Sequence, residues 1–163
     1  MKSKITFSVL LLITLLVPLG TSKVANAEEP VDMIDYYIYD ENDELVDVIT
    51  EPAPEKSDFT VQLSYYDFSA SFSSNIWIRN GSTFRNPDQI STEVSGRPAG
   101  PWGVRIYNSR NEYQGRMEVR DRGNWIVFPV RQLAPRGYSY KFQFYNNGPG
   151  TIIIDSGIPT YNR

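Results

Sequence analysis

Tyr138-Ser139-Tyr140-Lys141-Phe142-Gln143-Phe144-Tyr145 is the stretch that decides the fold. Aromatic side chains occupy the even positions through Phe144 and mostly polar ones lie between them. A pleated strand sends successive side chains to opposite faces, so this period predicts a strand with one face in a core. Asn146-Asn147-Gly148-Pro149-Gly150 supplies turn chemistry and leads into Thr151-Ile152-Ile153-Ile154-Asp155, a second β-rich run.

Moving back along the chain, the same alternation recurs. Trp102-Gly103-Val104-Arg105-Ile106-Tyr107, Tyr113 to Val119 and Trp125 to Val130 are strands separated by short polar turns, and short connections predict an antiparallel meander. Residues 80 to 103 are rich in Gly and Pro and read mostly as loop, with one embedded strand from Ile90 to Val94. Ile76-Trp77-Ile78 is an apolar run whose Trp77 is expected in the core. Phe59 to Tyr65 and Phe68 to Phe72 again alternate.

Roughly seven to nine short strands with regularly spaced turns predict an all-β chain forming a single antiparallel β-sandwich. Leu133-Ala134-Pro135-Arg136-Gly137-Tyr138-Ser139-Tyr140 resembles the Leu-x-Pro corner and tyrosine-bearing strand of Ig-like and fibronectin-type domains. That resemblance implies an Ig-like, Greek-key type of sandwich.

Three regions organise the chain. Residues 1–27 read as a cleaved signal peptide: Lys2 and Lys4, an apolar stretch from Ile5 to Leu19, then Ala25-Asn26-Ala27 as a small-x-small cleavage signal. After cleavage no integral membrane segment is expected, because no later apolar run approaches the ~20 residues a spanning helix needs. The leader and the lack of cysteine point to a bacterial chain that is secreted and extracellular, with cell-wall association consistent with that route. Residues 28–58 form an acidic segment with a β-hairpin, Ile34 to Tyr39 and Leu45 to Thr50, followed by a Pro-rich connector. Residues 59–163 form the sandwich domain.

Charge divides along the same line. Residues 28–58 hold twelve acids against Lys56 alone, whereas residues 59–163 hold twelve bases, eleven of them Arg, against seven acids. Opposite fields on one chain attract, so the acidic segment is expected either to solubilise the protein or to lie over the basic surface.

The 163 residues include no Cys and no His, which excludes disulfides, thiolate or imidazole metal sites and the nucleophile-base pairs built on them. No carboxylate pair is marked out as converging in a cleft, so the expectation is a non-catalytic protein without cofactor or metal. Asp40-Glu41-Asn42-Asp43-Glu44 with Glu51 offers calcium-type oxygen donors, but Leu45 stands where an EF-hand loop needs glycine, and a hairpin turn explains the run better.

What remains is binding. If the meander pairs consecutively, Val104, Ile106, Tyr113, Met117, Val119, Ile126, Phe128 and Val130 face inward. Arg105, Tyr107, Arg116, Glu118, Arg120, Trp125 and Arg131 then share one outer face. Planar guanidinium forks suit phosphate or carboxylate, and aromatic faces stack on sugars. Trp102, in a Gly-Pro context, is expected to be exposed and to join them. The candidate ligand is an anionic cell-wall polymer or glycan. The alternative is a secreted structural or interaction protein (matrix, spore surface or competition factor) with a protein partner. No nucleic-acid module is recognisable, and the acids outnumber the bases beyond Ala27, so nucleic acid is not an expected partner.

Overall fold

The structure, a computed structural model, describes residues 31–54 and 64–161. The expected signal peptide, residues 55–58 of the connector and the run from Phe59 to Leu63 lie outside the described residues. Twelve strands occur among the described residues: β1 (Met33–Tyr39), β2 (Leu45–Pro52), β3 (Ser64–Tyr65), β4 (Phe68–Phe72), β5 (Asn75–Trp77), β6 (Phe84–Arg85), β7 (Pro87–Val94), β8 (Pro101–Asn108), β9 (Tyr113–Arg120), β10 (Asn124–Phe128), β11 (Ser139–Asn146) and β12 (Ile152–Tyr161). The only helical segments among them are two short 3-10 turns, at Ile78–Gly81 and Val130–Gln132.

These strands form two antiparallel sheets, and the chain is an all-β sandwich. The first sheet runs β2-β1-β9-β8-β11-β5, with β6 also paired to β11; the second runs β10-β7-β12-β3, with β4 also paired to β12. The core lies between the sheets. From the first it takes Ile34, Tyr36, Ile38, Trp102, Val104, Ile106, Met117, Val119, Phe142 and Phe144, and from the second Ile90, Ile126, Phe128, Ile152 and Ile154. Each set occupies alternate positions of its strand, as period two requires.

The acidic hairpin is built into the first sheet. Tyr37, Ile38 and Tyr39 of β1 pair with Glu118, Met117 and Arg116 of β9, and Ile34, Tyr36 and Ile38 are buried. Burying a large apolar side chain contributes about 1.5–3 kcal/mol, so three such residues anchor the hairpin far more strongly than charge attraction could.

That placement corrects the expected meander. β8 and β9 do pair consecutively, but the other edge of β9 is taken by β1, so β10 crosses to the second sheet and pairs with β7, Trp125 opposite Glu93. A second correction concerns 80 to 103, where β7 is longer than the expected embedded strand. It begins at Pro87, a strand position where the missing N–H is tolerated, and lies between β10 and β12.

A third correction is local. Tyr113 does not face the core, because β9 carries a bulge: Ile106 pairs with Gly115 but Tyr107 pairs with Tyr113. Gly115 adopts φ +128, and a Cβ there would lie 2.3 Å from the Tyr39 carbonyl, so only glycine fits. The extra residue reverses the parity of the strand end and turns Tyr113 outward.

Candidate functional site

The outer face of the first sheet carries a lattice of guanidinium and aromatic groups drawn from five strands. In register, Tyr37 of β1 stands beside Glu118 of β9, Glu118 beside Gly103 of β8, and Gly103 beside Tyr145 of β11. Because Gly103 has no side chain, Tyr145 reaches across it, and its hydroxyl donates to Glu118 Oε2 at 3.0 Å. Arg120 Nε donates to the other oxygen, Oε1, at 3.1 Å.

Guanidiniums lie over rings on either side of that acid. The Arg116 guanidinium carbon is 3.9 Å from the Tyr39 ring centre and 5.9 Å from that of Tyr145. Arg105 lies 4.6 Å over Tyr145, and Arg120 lies 4.1 Å over Tyr37. Each such stack contributes about 0.5–1 kcal/mol where exposed and more where water is excluded. Together they bury Tyr145, although it points away from the core. Burial and the adjacent Glu118 charge push the Tyr145 phenol well above its ordinary range.

A second aromatic row continues the face. Trp77 of β5 lies 5.0 Å from Tyr107, and Tyr107 lies 5.5 Å from Tyr113. Trp77 is therefore not a core residue as its apolar neighbours suggest: it pairs with Gln143, an outward position, while Ile76 pairs with the buried Phe144. Tyr37, Tyr39, Tyr145 and Trp77 join the face beyond the residues expected there. The signal was present in the alternation of their strands, but the strand order that aligns them was not.

The three arginines of this face differ in what they have left to offer. Arg116 is committed: its side chain is only 16% exposed, Nη1 donates to Asp43 at 2.7 Å, and Nε lies 3.8 Å from Glu118, too long for a hydrogen bond. Burial opposes its charge, yet Tyr145, Asp43 and Tyr113 around it hold its pKa above the ordinary arginine value. Arg120 keeps 48% of its side chain exposed. Arg105 has no ion-pair partner among the described residues; Nη1 donates to Gln143 Oε1 at 3.3 Å.

Asp43 belongs to the turn of the acidic hairpin, as does Asp40. Asp40 Oδ1 accepts the backbone N–H groups of Asn42 and Glu44, each at 2.9 Å, and these bonds, the one from Glu44 first, hold its carboxyl below the usual range. Asp43 accepts from Arg116 and from the Tyr113 hydroxyl, and Glu51 sits at the opposite end of the hairpin, opposite Ile34.

The remaining expected site residues lie elsewhere. Trp102 is 0% exposed: it packs edge-on against Phe128 at 5.6 Å, and its indole N–H donates to the Arg122 carbonyl at 2.8 Å. The surrounding Gly and Pro suggested a loop, but Trp102 is in phase with Val104 and Ile106 and belongs to the core. Trp125 is on β10 in the second sheet, and Arg131 sits in the 3-10 turn after β10, 3.6 Å from Asp88. The structure thus brings together Arg105, Tyr107, Arg116 and Arg120, and places Trp102, Trp125 and Arg131 apart from them. Among the described residues no helix is long and apolar enough to cross a membrane.

The site and fold together define an all-β sandwich with an arginine-tyrosine sheet face. The chain matches no family model, no curated protein and no solved structure.

Proposed function

We propose that the protein is a small secreted bacterial binding module, non-catalytic, whose first-sheet face engages an anionic cell-envelope polymer or glycan. The observation that carries this reading is the convergence of Arg105, Arg116 and Arg120 on one face among aromatic rings, with Arg105 free of any ion pair among the described residues and Arg120 half-exposed. Arg105 and Arg120 are the contacting cations, Tyr107 and Trp77 offer ring surface beside them, and Arg116 holds the lattice together. Export rests on the leader-like residues 1–27, and the Ig-like, Greek-key reading on the Leu133-Ala134-Pro135 corner and the passage of β10 to the opposite sheet.

Retention on a teichoic-acid column tests it. Salt-dependent retention is expected, weakened several-fold in Arg105→Gln while melting changes by only a few degrees. Undiminished retention of that variant would show that the face is not the binding surface.

Protein-protein contact is the second reading, favoured by the exposed Leu45, Val46 and Val48 on edge strand β2. Under that reading sedimentation shows concentration-dependent assembly and the column shows no retention.

A further inference from the structure

A cavity of about 390 Å³ shares no lining residue with this face. It lies where Asp32 and Ile34 at the start of the hairpin, and Ala53 and Pro54 at its end, meet the loop after β7 and the turn leading into β10. Its size falls within the range of small-ligand pockets, which combine apolar walls with a few polar groups. Ile34, Ala53, Pro54 and the half-buried Trp125 supply the walls, and Arg97, Arg122, Asn124 and Asp32 supply the polar groups.

The two guanidiniums are not equivalent. Arg122 is spent on the protein: Nη1 donates to both oxygens of Asp32, at 2.8 and 2.7 Å, and Nη2 donates to the Met33 carbonyl. Arg97 gives only Nε to the Asp121 carbonyl, at 2.6 Å, and its two terminal nitrogens have no hydrogen-bond partner among the described residues. One cation is therefore available to a ligand anion. Asp32 is 64% exposed at its side chain, and with Arg122 on one side it retains lone pairs that suit hydroxyl donors and repel a second anion. Asn124 can donate and accept, and an indole face beside aliphatic walls suits the C–H face of a pyranose.

We infer that this cavity binds a pyranose carrying one carboxylate, a uronic-acid unit, with the carboxylate on Arg97, hydroxyls on Asp32 and Asn124, and the ring against Trp125. Inorganic phosphate leaves the apolar wall unused and meets Asp32, and a neutral hexose leaves Arg97 unpaired. The inference is independent of the sheet face, since no residue is shared.

Sodium glucuronate, glucose and inorganic phosphate titrated separately into the ¹⁵N-labelled full chain provide the test, read at the Trp125 indole N–H and the Asn124 amide. Saturable shifts are expected with glucuronate, with about tenfold weaker binding of glucose and no Trp125 response to phosphate. Arg97→Gln should weaken glucuronate about tenfold without weakening glucose, and Trp125→Leu should weaken both; the same spectra report that each variant is folded. Equal response to phosphate and glucuronate, no shift at Trp125, or full glucuronate affinity in Arg97→Gln overturns the assignment.

Discussion

Glu118 accepts hydrogen bonds from Tyr145 and Arg120 and is 3% exposed, so removing its carboxylate strands a buried phenol and leaves the Arg120 guanidinium without its counter-charge. Glu118→Ala is expected to lower stability by about 3 kcal/mol in urea unfolding. Arg105→Gln, by contrast, removes a cation with no ion-pair partner among the described residues and should change stability by less than about 1 kcal/mol. Equal costs would mean that the lattice is not organised around the acid. The phenols of this protein also make a pH prediction. Burial pushes Tyr36 up to about 12, and Tyr145 is raised further for the same reason. A raised pKa favours the folded state while the phenol is protonated. That stability is intact below the unfolded value of about 10 and is lost as pH rises through the folded values. Melting temperature should therefore fall steeply above pH ~10, with the last phenols ionising only as the chain unfolds. Ionisation of every tyrosine near pH ~10 with the fold intact would contradict their burial.

Strand β2 is an unprotected edge by position but not by chemistry. It ends the first sheet, with Leu45, Val46 and Val48 exposed, yet Asp47 Oδ1 accepts the Val48 N–H at 2.8 Å and so removes an edge donor, while its charge opposes a neighbouring strand. Asp47→Val should leave the monomer folded and cause self-association that light scattering detects at concentrations where the parent stays monomeric. A monodisperse variant would show that Asp47 does not guard the edge. At this scale the alternation of β8 and β11 was legible because each has one face in the core: Val104 and Ile106, like Phe142 and Phe144, point inward as expected. Two features were not legible. A single bulge at Gly115 reverses the parity of Tyr113, and nothing in a period-two pattern announces it except one glycine among many. The crossing of β10 depends on β1 having taken the free edge of β9, a long-range pairing that short turns do not reveal.

Across the whole molecule, the uneven charge is resolved within the chain. The acidic hairpin pairs with basic residues at both ends, Asp43 with Arg116 and Asp32 with Arg122, each at 2.7 Å. It is part of the sandwich and also a local screen over one arginine, the second of the two roles its composition suggested. Sequence placed five of eight candidate residues, Glu118 among them, on one face, because face membership follows from alternation along neighbouring strands. It misplaced Trp102, Trp125 and Arg131, because sheet membership and burial follow from pairing across the chain. The binding reading rests on the residual cations of that face. Amide chemical-shift mapping of the ¹⁵N-labelled protein during titration with a short glycerol-phosphate oligomer, a polyanion without uronic acid, tests it most directly. Shifts are predicted to concentrate on Tyr37, Arg105, Tyr107 and Arg120 and to diminish together as salt is raised; shifts confined to the second sheet, or none at low salt, would contradict the account.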